Sequence, residues 1–527
     1  MARVNIALHQ GPGQPAYLLT AAAAPSGDAA IVRVRLTNSG NPVPTTDFRP
    51  ETYNANAGNG TTDARSAIQS AYNAARAYVA AGGHATVRFT AGRTYVCSSW
   101  VFLNTIRTND WVGATNPTVQ QAGVVAFAGD ATIKLTGDRT GFLRAATWSG
   151  SSVSTWTTNQ YATYGNIEID GLTIDNNNRV TGTMTPCIGF VNGYGNADNI
   201  TVKNVTMPYG RVAYRTTAAN TNGINGFVIN LNASSRTQTH WAYVTNITVE
   251  DCTIYSQGKP VGVYSNDDGG ATTYGTNPVL YDNINVARCL CNSSHYYTSN
   301  IHIGSYGAGY RCSVTDCICE DSTDDGVEIN AFNEVTVSGC TFSKCRQPIC
   351  FVWYGYPYKA DTPTYTVSDC DYVGDCEPYW LDGVSPEPGA RSPMMPEFRG
   401  ANTTSGSISD IDDRSWGNLV IDGCTGDFGS PAYDGYTTAR PFFLVGTGGF
   451  PLQSVSITDC DITDRQATAS TDFISIQQGD QLSHTLPITI TDVRWRNSTG
   501  DAYALLGSGQ VSLDGDYDLT TDIDGLT

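Results

Sequence analysis

Two pairs of adjacent carboxylates are the residues best equipped for acid–base work: Asp267-Asp268 and Asp324-Asp325. The first pair follows the apolar run Val261-Gly262-Val263-Tyr264. The second precedes Gly326-Val327-Glu328-Ile329. Both sit at a strand-to-loop junction. Neighbouring carboxyls with split proton affinities suit glycoside cleavage, where one protonates the leaving oxygen and the other acts as base or nucleophile. The plainer reading is that Asp-Asp-Gly is turn chemistry in an acidic chain. Aromatic residues form a second set. Trp353, Tyr354, Tyr356 and Tyr358 crowd one stretch, with Tyr296, Tyr306 and Tyr310 on a nearby coil. Flat, rigid rings stack on sugar faces, and they suit subunit interfaces equally well. No metal-ligand spacing, phosphate loop or nucleophile elbow is seen, so neither a metal site nor a cofactor is expected.

These residues must be positioned by a repeat, which decides the fold. Ile247-Thr248-Val249-Glu250-Asp251-Cys252-Thr253-Ile254 is one copy of an eight-residue phrase. It recurs with Leu172, Val205, Cys252, Cys289, Cys317, Cys340, Cys370, Cys424, Cys460 and Val493 at the key position. Three residues earlier the chain always has Val or Ile, as a buried strand wants. The residue just before the key position is Gly, Asn or Asp in nine of the ten copies, with Arg288 the exception. Those three types tolerate a left-handed backbone. Each copy therefore reads as a strand, a one-residue bend and a second short strand. Spacings of 23 to 54 residues fit the coils of a parallel β-helix, with loops inserted in the longer ones. Seven of the 15 cysteines fill the key column, where Leu and Val also occur. They are expected to be free thiols acting as small core hydrophobes.

The net charge of −19 argues against nucleic acid and against anionic membranes. No apolar run reaches membrane-spanning length, and Met1 to Leu8 lacks the apolar core of an export signal. A chain made in the cytoplasm is expected, in keeping with free thiols. Residues 1–49 lack the repeat and read as a small β module, with strands at Val4–Leu8 and Ala30–Leu36. Residues 50–97 read as a capping helix and first strands. The helix is expected to start from Thr61, Thr62 or Asp63 and to run to about Ala81, burying Ile68, Tyr72, Ala75 and Val79. It would cover the open end of the solenoid. The β-helix proper spans residues 98–497. Residues 498–527, with strands at 502–506 and 510–513, read as a C-terminal cap or trimer contact.

Gly58-x-Gly60-Thr61-Thr62-Asp63, Ala67-Ile68-Gln69, Gly82-Gly83, Val87-x-Phe89 and Gly92-x-x-Tyr95 occur in that order. Together they resemble the start of the pectate-lyase-like, right-handed parallel β-helix superfamily. That group includes polygalacturonase-type hydrolases and many bacteriophage tailspikes. With the repeats, the resemblance covers roughly residues 50 to 500, and it implies an all-β, right-handed solenoid. Ile303-Gly304-Ser305-Tyr306-Gly307 and Gly326-Val327-Glu328-Ile329-Asn330 are also similar to segments of polygalacturonases, with Asp267-Asp268 near the place of their Asp pair. The departures are chemical. The family's His falls near Ser299, with His295 and His302 offset from it. The sugar-acid-gripping Arg and Lys correspond to Glu328 and Asn330. This is shared architecture without the cations for galacturonate. If hydrolysis is retained, the substrate expected is a neutral sugar.

The resulting expectation is a bacteriophage tailspike or minor tail protein in the virion. The resemblance implies a homotrimer, docked to tail proteins through residues 1–49 and binding or cleaving host surface polysaccharide. The alternatives are a free glycoside hydrolase or polysaccharide lyase, and a purely structural virion protein.

Overall fold

The computed structural model describes residues 17–20, 35–38, 46–110, 116–137, 141–145, 162–176, 185–189, 195–208, 224–232, 242–256, 258–266, 279–293, 298–304, 307–322, 325–330, 332–345, 347–353, 363–373, 397–400, 417–428, 443–446, 452–464, 474–477, 486–496, 511–514 and 517–522. The strand periodicity of the repeat builds two large sheets, one of 27 strands and one of 12. Nearly every pairing joins a strand to its counterpart one coil on, in parallel. This is the parallel β-helix that the repeat predicts. The large sheet holds two ladders that meet at the bend. The 12-stranded sheet, running from Val101–Leu103 to Val511–Asp514, closes the coil on its other side.

The bend column behaves as its residue types demand. All ten of its members have positive φ, from 50° at Asp459 to 71° at Gly171. Arg288 joins them with φ 52°. Its guanidinium is held by Asp251, at 2.7 and 2.8 Å, and by Glu250, at 2.9 Å, one coil back. A second bend was not anticipated. Asn166, Asn199, Asn246 and Asn283, each five residues before the first bend, also have positive φ. Asn199 donates to Asn166 (2.9 Å) and Asn283 to Asn246 (2.8 Å), while Asn246 donates to Asp198 (2.9 Å), so a ladder of asparagines and this aspartate runs along the bend. Amide-bearing side chains both tolerate the left-handed region and bond their neighbours across it.

Alternation then sends one set of side chains inward. Val249, Cys252 and Ile254, with their counterparts coil after coil, are buried. Thirteen cysteines among the described residues are free and buried. The ladder thiols donate to the carbonyl two residues back, as Cys317 does to Thr315 at 3.3 Å. Burial pushes the Cys312 and Cys319 thiols well above their ordinary range, so they stay protonated.

The helices are Pro50–Tyr53 (α1) and Arg65–Tyr78 (α2). The residues expected to open the second helix instead form a strand, Asn59–Asp63, paired with Thr94–Cys97. Asp63 still accepts the Arg65 amide at 3.1 Å. Ile68, Tyr72, Ala75 and Val79 are buried, and Gly82 and Gly83, both at positive φ, follow the helix. α2 also closes a sheet edge. Gln69 donates to the Phe102 carbonyl (3.0 Å) and accepts its amide (2.8 Å). Arg65 donates to the Trp100 carbonyl and Arg76 to that of Thr105. These bonds occupy the free edge of the first strand of the 12-stranded sheet.

Thr46–Phe48 adds a parallel strand beside His84–Arg88, while Tyr17–Thr20 and Arg35–Asn38 form a separate antiparallel pair. Val4–Leu8 lies outside the described residues. Val511–Asp514 and Tyr517–Asp522 add one more parallel coil, and residues 502–506 lie outside the described set.

Candidate functional site

Four adjacent strands of the 12-stranded sheet create a polar cluster: Val261–Asn266, Ile301–Ile303, Asp325–Asn330 and Gln347–Trp353. Their register aligns Gly262, His302, Glu328 and Cys350. Val261, Val263, Ile301, Ile303, Val327, Ile329, Ile349 and Phe351 face the core at 0% exposure. By alternation, Tyr264, His302 and Glu328 belong to the outer face.

On that face His302 is the hub. Lys259 Nζ lies 2.5 Å from its Nδ1, and its Nε2 is 3.0 Å from the Gly304 carbonyl. The carbonyl can only accept, so Nε2 carries the proton and Nδ1 accepts from the ammonium. Burial, with the Lys259 charge adding to it, outweighs the Glu328 carboxylate and lowers the His302 pKa to about 4. The ring is therefore neutral at pH 7. Glu328 Oε2 is 3.2 Å from Nδ1 and accepts the Ser299 hydroxyl at 2.7 Å. Tyr264 stacks on His302 with centroids 4.8 Å apart, and Lys259 Nζ lies 5.3 Å from the Tyr264 ring centre. Gly262 is required beneath that ring, because a Cβ there would come within 2.8 Å of it. A cation, a carboxylate and a neutral imidazole thus share one patch of the outer face. They can donate to and accept from hydroxyl groups, and they can pass a proton between them.

Of the carboxylate pairs, Asp267, Asp268 and Asp324 lie outside the described residues. Asp325 is 1% exposed and shares its strand face with Val327 and Ile329. Burial pushes the Cys345 thiol up to about 12 against backbone hydrogen bonds that lower it, with the charges of Asp321 and then Asp325 adding to the rise. The outer-face carboxylate of this strand is Glu328. Tyr310 is half-buried in the strand Gly307–Thr315 of the 27-stranded sheet, whereas Trp353 ends a strand of the 12-stranded sheet. Those two residues therefore belong to different sheets. Tyr296, Tyr306, Tyr354, Tyr356 and Tyr358 lie outside the described residues. Among the described residues, no group of three or more His, Cys, Asp or Glu could hold a metal ion. None of their helices is long and apolar enough to cross a membrane.

No family profile matches the sequence, and no curated protein does either. Solved structures do match. The N-terminal fragment of gene product 12 of bacteriophage Phi29 superposes with a TM-score of 0.51 at 14% identity, over 89% of this chain and 65% of that one. The chain has the parallel β-helix fold. Other β-helices align less closely. PfbA, a surface adhesin of Streptococcus pneumoniae, gives 0.45 at 13% identity over 90% of this chain and 91% of its own. The tailspike protein of Acinetobacter baumannii phage AM24 gives 0.34 at 12% identity over 81% and 55%. At these identities the likeness is one of fold, and function must be argued from the site.

Proposed function

We propose that this β-helix is a bacteriophage tailspike or minor tail protein that binds host cell-surface polysaccharide as a homotrimer, attached to the tail through residues 1–49. The observation that carries the reading is the outer-face cluster of Lys259, Tyr264, His302, Ser299 and Glu328. A solenoid needs apolar side chains inside and any soluble residue outside. Taking Glu328 and His302 to 8% exposure on the outer face costs solvation that an ordinary surface would avoid. Polar groups gathered at such a cost are the mark of a recognition site. Buried free thiols suit folding in a reducing cytoplasm before release by lysis. The Phi29 protein, a phage gene product, lends the reading support at the level of fold.

Polysaccharide cleavage is the second reading. It is favoured by the proton path through Lys259, His302 and Glu328, with Asp267, Asp268, Asp324 and Asp325 as further carboxylates to be tested. Light scattering and a glycan array test the main reading together. A trimeric mass with saturable binding to at least one surface glycan is expected. A clean monomer, or binding to no glycan on the array, overturns it. Reducing-end release that disappears in Glu328→Gln would establish cleavage.

A further inference from the structure

A concavity lies on the other sheet from that cluster, the 27-stranded one, near the N-terminal end. It is a groove of about 450 Å³ whose lining includes Arg88, Asp130, Asp170, Thr173 and Thr206. That size falls in the ~300–1,000 Å³ range of ligand clefts.

The bend column explains why the groove exists here. In later coils that column carries side chains, such as Asp251, Arg288 and Asp316, or a glycine closed over by the aspartate one coil back, as Asp316 closes over Gly339 and Asp369 over Gly423. In the first coils it carries Gly171, and Gly129 stands beside it. A Cβ on Gly171 would meet only the Gly129 carbonyl, at 3.5 Å, so the space above this bend is open. The strand Val124–Leu135 also breaks register between Ala128 and Ala131, which widens the gap. Thr173 and Thr206 line the groove. They belong to a threonine column in which Thr94, Thr132, Thr173, Thr206 and Thr253 are stacked in register on successive strands, about 4.8 Å apart. Thr206 is exposed and Thr173 half-buried.

The lining chemistry selects the ligand class. A guanidinium, two carboxylates, an amide and hydroxyls offer donors and acceptors, with little apolar wall. Arg88 already faces Asp47 at 3.5 Å, Asp170 accepts from Asn204 at 2.8 Å, and Lys203, 3.7 Å from Asp170, is held more closely by Glu168 at 3.0 Å. With two carboxylates against one paired cation, an anionic ligand is disfavoured. A neutral polyol satisfies the mixed lining.

We propose that this groove is a second glycan subsite, which takes a neutral sugar residue through Asp130, Thr173 and Thr206. The proposal rests on the reading of the chain as a glycan-binding protein. Two subsites per chain raise avidity for a repetitive surface polymer without new contacts at either.

The test uses an array of neutral and uronate-bearing oligosaccharides, then calorimetry with the tightest neutral binder. Thr206→Trp fills the groove. Thr341→Trp places the same indole in the same register column beyond the groove and is the control. Asp130→Asn removes a rim acceptor charge without adding bulk. Wild type and Thr341→Trp are expected to bind two equivalents per chain and Thr206→Trp one, whereas Glu328→Gln keeps the groove's equivalent at full affinity and weakens the other by about tenfold or more. In Asp130→Asn the affinity of the groove falls on the order of tenfold, the loss when one or two hydrogen bonds go unmade. A Thr206→Trp variant that keeps both equivalents overturns the subsite and leaves the glycan-binding reading standing. Binding confined to uronate-bearing glycans does the same. A wild type that binds nothing on the array overturns both.

Discussion

The neutral state of His302 makes stability depend on pH with a definite sign. The unfolded imidazole titrates near the ordinary ~6.5. In the fold, burial and the Lys259 ammonium hold the pKa at about 4. The unfolded chain therefore binds the proton more tightly between those two values, and stability falls as the pH drops through the window. It is fully present above about pH 6.5 and lost towards pH 4. At 1.36 kcal/mol per pH step the gap amounts to roughly 3 kcal/mol. His302→Gln keeps one donor for the Gly304 carbonyl and one acceptor for Lys259 but cannot titrate. Denaturant unfolding of wild type and variant from pH 7.5 to 4.5 isolates the effect, because other titrations cancel in the difference. The wild type should lose stability relative to the variant only below about pH 6.5, and its His302 Cε1 proton resonance should not titrate above pH 5. A flat difference would refute the reasoning. So would a wild type that gains stability on acidification, since the ring would then be a cation paired with Glu328.

Other expectations concern the fold that holds the site. Cys317→Val should be tolerated within about 1.5 kcal/mol, since its column also takes Val and Leu, whereas Cys317→Asp should cost several kcal/mol or prevent folding; chemical denaturation separates the two. Asp316→Gly should be near neutral, but Asp316→Val should cost roughly 1–2 kcal/mol, because a β-branched residue is strained at φ 53°. Gln69→Leu removes both side-chain bonds to Phe102 and exposes a strand edge, so roughly 1–3 kcal/mol is lost and aggregation on heating should rise by light scattering.

The solenoid was legible because its information is local and repeated. Ten phrases carry Val or Ile three residues before the key position, and a turn residue just before it fixes a left-handed bend. Even Arg288, the wrong type for that column, adopts the bend, because Asp251 and Glu250 one coil back hold its side chain. The asparagine ladder was equally readable in principle. Asn166, Asn199, Asn246 and Asn283 each stand five residues before the bend, but they lie outside the eight-residue phrase. The site was less legible, because its partners meet across coils. Lys259 and His302 are 43 residues apart in the chain, and Ser299 and Glu328 are 29 apart. Sequence reading reached His302 and Glu328 only as departures from a family pattern, and it gave no role to Lys259 or Tyr264. Adjacent carboxylates drew attention to Asp325, yet strand alternation turns that residue to the core side and gives the outer face to Glu328 three positions later.

The central claim is that the Lys259–His302–Glu328 patch contacts surface polysaccharide. Its most direct test is the affinity of Lys259→Ala and Glu328→Gln for the glycan that wild type binds best, with circular dichroism confirming the fold. The account predicts that both variants stay folded and trimeric and lose about tenfold or more in affinity, as when charged hydrogen-bonding groups are removed from a recognition site. Folded variants that bind the glycan as tightly as wild type would contradict it.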